Sequence, residues 1–287
     1  MEIKKIGIVA MTGFMGQGIA QLCAQVGYRV VGSSRSEQRL AASIEAIDGR
    51  LARSAAKGSI TDQERKETMA RILGTTSLKD FAGCDLVIES AVEIMDVKKR
   101  IFAELDTLCP KETILATNTS SLPVIEIAGA TGRMDRVIGL HFLTPVPQSR
   151  LLEIVKTIAT SDATLEAGRI FTRSLAKEMI ISKDFPGFVF NRISVAFLLT
   201  AVRVLESGIA TREEIDNSMK LGLDHPIGPL ALLDFGGNDV YLHIANALYE
   251  NLKDATYAPP MLLKQMVAAG WLGRKTGKGF YDYATRT

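Results

Sequence analysis

The chain has 287 residues, 47% hydrophobic and 23% charged, and its 34 lysines and arginines nearly cancel 32 acids to leave a formal net charge of +2. That length predicts one large or two ordinary domains with a real core. The balanced charge excludes the basic field that nucleic acid or an anionic membrane surface needs, and no stretch has the run of apolar residues that crosses a bilayer.

In chain order, MEIKKIGIVAM enters a buried-strand run, KIGIVAM (5–11), without a signal-type apolar region. Met15, Ile19, Leu22, Cys23 and Val26 then recur at helical spacing until Gly27 stops the helix. Between strand and helix lies MTGFMGQG (11–18). A strand, a glycine turn and a helix starting near Phe14 aim free N–H groups and a positive helix end at a phosphate, which makes Gly13, Phe14, Met15 and Gly16 candidate dinucleotide-binding residues. Measured against G-x-G-x-x-G, Met11 occupies the first glycine position while Gly13 and Gly16 are kept.

The next strand, YRVVG (28–32), leads into Ser33, Ser34 and Arg35. In this arrangement an acid about 20 residues after the glycines binds the adenosine ribose and repels a 2′-phosphate. Ser34 stands in that place, and Arg35 beside it either offers a planar cation or is a solvated loop residue, so the strand end favours NADP, with NAD the alternative. Residues 36–73 read as two polar helices split at KGSIT (57–61), where Thr61 and Glu64 form a capping box. DLVIES (85–90), TILATN (113–118), RVIGLHF (136–142), LLEIVK (151–156) and EMIISK (178–183) read as further strands, with amphipathic segments between them and a helix near 161–176. Beyond KDFPG (183–187) only helical signals remain. The expectation is an α/β protein with a mostly parallel sheet and a helical-hairpin insertion over 1–185, the dinucleotide-binding domain, then an all-α domain over 186–287.

The three cysteines, Cys23, Cys84 and Cys109, are far apart in apolar surroundings, as buried thiols of a cytoplasmic protein are, and give no metal site. Of the three histidines, His225 in DHPIGP and His243 in YLHIANALY read as turn and packing residues. His141 ends a strand where ligands gather at the carboxyl edge of an open sheet, which makes it the candidate acid/base. Glu153, inside the apolar strand LLEIV, is either its buried partner or a strand-edge surface residue.

CDLVIESAVE (84–93), TNTSSLP (117–123), DRVIGLHFLTPVP (135–147), LLEIV (151–155), PGFVFNR (186–192), HPIGPLALLD (225–234) and AGWLGRKTGKGFYDY (269–283) together resemble the short-chain L-3-hydroxyacyl-CoA dehydrogenases. The resemblance implies a Rossmann-type domain, oxidation of an L-3-hydroxyacyl-CoA or the reverse reduction, an NAD-type cofactor and a homodimer formed through the helical domain. It puts the catalytic histidine at His141 and its glutamate at Glu153. It also puts substrate-contacting groups at Ser120 and Asn191, and residues near the nicotinamide half of the cofactor at Glu93, Lys98 and Asn118. Ser120 has an alternative as a cap on the helix beginning LPVIEIA, Asn191 has one as a polar residue of a first helical turn, and Glu93 and Lys98 have one as surface helix charges. Arg50, Arg53 and Lys57 on the insertion either meet the phosphates of CoA or keep the hairpin soluble.

Three positions depart from the family pattern: Met11, Ser34, and Thr144 where relatives carry asparagine. Dehydrogenases of free 3-hydroxy acids also pair such domains but use a lysine on the long helix, where this chain has Asn191. A non-catalytic nucleotide-binding relative is the remaining alternative.

Overall fold

A computed structural model describes residues 2–283 of the chain. Its elements run β1 (Lys5–Val9), α1 (Phe14–Gln25), β2 (Arg29–Ser33), α2 (Glu37–Ala56), α3 (Asp62–Ala70), β3 (Ile72–Thr75), β4 (Leu86–Glu89), α4 (Met95–Leu108), β5 (Ile114–Thr117), α5 (Val124–Ala128), β6 (Val137–Phe142), β7 (Leu151–Lys156), α6 (Asp162–Ser174) and β8 (Glu178–Lys183). Helices α7 (Phe190–Glu206), α8 (Arg212–Gly222), α9 (Pro229–Gly236), α10 (Asn238–Leu252) and α11 (Met261–Ala268) follow. The chain divides into two compact units, Met1–Phe185 and Pro186–Thr287.

The first unit is built on one eight-stranded sheet in the order β3-β2-β1-β4-β5-β6-β7-β8. The strands from β3 to β6 run parallel, β7 is antiparallel to β6, and β8 is parallel to β7. Central strands such as LVIE, ILAT and VIGLHF are buried at every residue, because helices cover both faces of a parallel sheet and leave no solvated side for polar residues. Strand β3 begins inside the stretch whose sequence reads as helix and runs two residues beyond it. It is a four-residue edge strand with Leu73 62% exposed, so neither length nor apolar alternation announces it.

Helix α1 is closed by Val26 as its C-cap, and the next residue, Gly27, has a φ of +104° that a β-carbon would strain. The α2–α3 hairpin is capped by Ser36 and by the Thr61–Glu64 box, and is tied by Arg65, which donates to both oxygens of Asp48 at 2.7 and 2.6 Å. It does not project freely, since Arg50 donates to Gln21 and Gln17 of α1 at 2.9 and 3.0 Å. The second unit packs α7, α9, α10 and α11 around Val195, Leu198, Leu199, Leu233, Leu248 and Leu263, all buried. Within it, Asp216 receives the N–H groups of Leu230 and Ala231 at the start of α9, and Asp234 receives those of Phe280 and Tyr281. Among the described residues no helix is long and apolar enough to cross a membrane.

Candidate active site

The turn between β1 and α1 keeps its shape despite Met11. The left-handed position is Ala10, at φ +60°, whose carbonyl accepts from Gly13 at 3.2 Å. Met11 is fully buried and its N–H extends the ladder to Ser33. A β-carbon on Gly16 would lie 2.6 Å from the Ala10 carbonyl and 2.9 Å from Met11 Cα, so the close approach of helix to strand requires glycine there. Gly13 is the N-cap of α1, no side chain caps the helix, and its first turn carries no acid. The first-turn amides of Phe14, Met15 and Gly16 therefore have no acceptor within the helix, and nothing negative competes for them. Thr144 Oγ1 donates to Met15 Sδ at 3.2 Å, which fixes the departure at 144 against this same turn.

At the end of β2, Ser34 donates its N–H to Thr75 at 3.0 Å, and its Oγ accepts from Ser36 N–H at 3.2 Å. Arg35 is exposed. This strand end therefore carries a hydroxyl and a cation, and no carboxylate.

At the carboxyl edge of β6, the antiparallel register puts His141 directly across from Glu153, and Nδ1 lies 2.6 Å from Glu153 Oε2. Both side chains are buried, Glu153 completely. Glu153 is thus not a surface residue of a strand edge; β8 covers its other side through the pairing with Ile180. A carboxylate on Nδ1 suits the tautomer with the hydrogen on that nitrogen, which leaves the Nε2 lone pair free of this contact. Asn118 holds the strand that presents the ring: its Oδ1 accepts from Phe142 N–H at 2.9 Å, and its Nδ2 donates to Ser90 Oγ at 3.4 Å.

Ser120 lies in a loop gathered by one carboxylate oxygen. Glu93 Oε1 accepts from the N–H groups of Ser120 and Ser121 at 2.9 and 3.1 Å, and from the hydroxyls of Thr119 and Ser121 at 2.6 and 3.1 Å. Burial by itself would raise the pKa of Glu93, but Lys98, Thr119 and Ser120 outweigh it and hold the carboxyl below the usual range. Ser120 does not cap the helix that follows. The first N–H groups of α5, those of Val124 and Ile125, go to Asp184 at 3.0 and 2.7 Å.

Lys98 is not a surface charge either. It shares the inner face of α4 with Phe102 and Leu105, and its ammonium is enclosed by Glu89, Glu93 and the Ala91 carbonyl. Sequence reasoning missed Glu89 and Asp184. Glu89 carries the same signal that marks Glu153, a lone acid in an apolar strand, whereas Asp184 caps a helix some 60 positions away and leaves no local trace.

Arg50, Arg53 and Lys57 line one cavity of about 330 Å³ with Phe14 and the Pro145–Gln148 segment. Arg50 Nη2 is buried without a hydrogen-bond partner there, although Arg50 also packs on α1. Lys177 secures the cavity wall by donating to Val146 O at 2.8 Å and to Ser149 O, and burial pulls its pKa below the usual lysine range.

Asn191 is buried in the first turn of α7, in the second unit. His225 meets the Phe197 ring edge-on at 5.6 Å between centroids, and His243 is exposed on α10. All three cysteines are buried thiols, and burial pushes Cys84 up to about 12. Among the described residues no group of three or more histidine, cysteine or acidic side chains could hold a metal ion.

Residues 5–185 match the model for the 3-hydroxyacyl-CoA dehydrogenase NAD binding domain, and residues 187–283 match that for the C-terminal domain of the same family. The chain is 45% identical over 281 residues to the 3-hydroxybutyryl-CoA dehydrogenase of Bradyrhizobium diazoefficiens, covering 98% of this chain and 96% of that one. It is 44% identical over 287 residues to a probable 3-hydroxybutyryl-CoA dehydrogenase of Bacillus subtilis, covering both in full. Among solved structures, the (S)-3-hydroxybutyryl-CoA dehydrogenase of Ralstonia eutropha superposes with a TM-score of 0.93 at 43% identity, over 98% of this chain and 99% of that one.

Proposed function

The chain belongs to the 3-hydroxyacyl-CoA dehydrogenase family, and on that premise we propose that it interconverts 3-hydroxybutyryl-CoA and acetoacetyl-CoA with His141 as the general acid/base. It is an oxidoreductase acting on CH–OH, and its cofactor is a nicotinamide dinucleotide. The residues present fit such a cofactor: uncapped first-turn amides on α1 offer donors to a pyrophosphate, and Gly16 brings the helix onto the strand behind them. The nicotinamide supplies the hydride acceptor in oxidation and the donor in reduction.

The observation that carries the reading is the buried cross-strand pair of His141 and Glu153. In oxidation the 3-hydroxyl must lose its proton as hydride leaves the same carbon, and Nε2 of His141 takes that proton. Glu153 keeps the ring in one orientation and tautomer and stabilises the imidazolium that forms. In reduction the same atom returns the proton to the developing alkoxide. Ser120 and Asn191 hydrogen-bond the reacting oxygens and align the substrate carbon. Glu93 supports this by fixing the Ser120 loop, and Asn118 by tying down the β6 strand end.

NADP is the preferred cofactor in this reading. Ser34 removes the charge that would repel a 2′-phosphate, and exposed Arg35 supplies a forked cation for it. Arg50, Arg53 and Lys57 bind the phosphates of the acyl-CoA, a role supported by the cavity they share and by the unpartnered Arg50 Nη2. The chain works as a homodimer through its second unit, which leaves Ile209, Leu221 and Leu223 exposed at 75%, 82% and 63%. Its compartment is the cytoplasm, consistent with three unpaired buried thiols. The test is acetoacetyl-CoA-dependent loss of NADPH absorbance by the purified chain; no turnover with either NADPH or NADH overturns the reading.

A further inference from the structure

One buried charge cluster in the first unit is left out of the proton transfer. Glu89, the last residue of β4, has no exposed side-chain surface, and Lys98 opposite it is 1% exposed. The Glu89 carboxylate accepts from Lys98 Nζ at 2.8 and 3.0 Å, from Thr117 Oγ1 at 2.8 Å and from Ala91 N–H at 2.5 Å. The same ammonium lies 3.2 Å from Glu93 Oε2, whose side chain is 22% exposed. Two acids thus enclose one base, a formal excess of one negative charge in the cluster. A single acid would neutralise Lys98. The other donors around the two carboxylates, from Ala91, Thr117 and the Thr119–Ser121 loop, are neutral and compensate hydrogen bonding but not charge. An uncompensated charge in a desolvated place is costly unless a cation comes to meet it.

The position of the cluster indicates which cation. Strand order reverses between β1 and β4, where Val9 pairs with Glu89, and ligands of such sheets bind outside the carboxyl ends of the strands at that reversal. The pyrophosphate belongs on the first turn of α1 and the adenosine half at the end of β2, so the β4 side receives the nicotinamide. That ring is cationic when oxidised and neutral when reduced.

We propose that Glu89 determines which oxidation state of the nicotinamide the site prefers: through the net charge of the Glu89–Lys98–Glu93 cluster it holds the oxidised, cationic ring more tightly than the reduced one. The inference rests on the cofactor reading given above. The test is equilibrium binding to the full chain, by calorimetry for NADP+ and by fluorescence of the reduced ring for NADPH, in wild type and Glu89→Gln. The 2′-phosphate-free pair is used instead if wild type holds only that. Glu89→Gln keeps the shape of the side chain and removes its charge. The expected result is oxidised cofactor weakened about ten-fold, with the reduced form changed by less than about two-fold. Equal weakening of both forms, the mark of a scaffold residue, overturns the proposal, as does no change in either. Should Glu89→Gln fail to fold, Glu93→Gln removes one charge from the same cluster; because it also releases the Ser120 loop, the readout is the ratio of oxidised to reduced affinity, which falls about ten-fold if the cluster charge sets the preference and stays unchanged, overturning the proposal, if it does not. If wild type binds no nicotinamide dinucleotide, the cofactor reading falls and this inference with it; an unchanged ratio removes only the role of Glu89.

Discussion

Met11 occupies the space above Gly32 on the neighbouring strand: a β-carbon added at Gly32 would collide with the Met11 sulfur and lie 2.9 Å from its Cβ. The side chain that replaces a fingerprint glycine thus points into the core and away from the turn's ligand face, at a place where β2 has no side chain. The pair is a unit. Gly32→Ala should cost about 1–3 kcal/mol in urea unfolding, as overpacking does. In a Met11→Ala background, itself destabilised by about 2–5 kcal/mol, the sulfur is gone while the 2.9 Å approach to the residue-11 Cβ stays, so the same change should cost less without becoming free. Equal costs in both backgrounds would show that the two residues do not compete for space.

Cofactor choice is tested at position 34. Wild type should use NADPH with higher kcat/KM than NADH, and Ser34→Asp should reverse the preference. A charge-assisted contact to a 2′-phosphate is worth about 1.5–3 kcal/mol, so the swing should reach ten-fold or more. A variant with an unchanged ratio would remove Ser34 and Arg35 from cofactor recognition.

The Glu93 anchor has a pH signature. Its carboxyl is depressed in the folded chain, so it adds stability that is present above the unfolded value near 4.5 and is lost as pH falls through the lower folded value. Wild type should exceed Glu93→Gln in stability at neutral pH, and the gap should close as pH drops below about 4.5. A gap independent of pH would mean that the carboxylate charge contributes nothing to holding the Ser120 loop.

Lys177 should matter to substrate binding without touching substrate. Lys177→Met leaves the carbonyls of Val146 and Ser149 without their donor, at about 1–3 kcal/mol for a buried unsatisfied group, and frees the wall of the cavity lined by Arg50 and Lys57. The expected kinetic result is a raised KM for acetoacetyl-CoA with kcat nearly unchanged. An equal loss in kcat would place the effect at the reacting atoms instead.

Much of this arrangement is legible in the sequence because it is local. The strand-turn-helix at 5–27 and the Thr61–Glu64 box declare themselves through periodicity and cap residues. Glu153 is marked by being the one acid in an apolar strand, and the antiparallel register that sets it against His141 then supplies what composition does not. Other features are settled by packing at a distance. Strand β3 exists because β2 offers it a ladder, and its own four residues carry no alternation. Lys98 looks like an ordinary helix charge until Glu89 and Glu93 are folded around it. Asp184 replaces Ser120 as the cap of α5 from the far side of the sheet sequence, where no spacing rule reaches.

Proton transfer by His141 is tested most directly by steady-state reduction of acetoacetyl-CoA with His141→Ala, assayed with both NADPH and NADH. Loss of a positioned general acid should lower kcat by about 10²–10⁴-fold while cofactor binding persists. Wild-type turnover in that variant would contradict it.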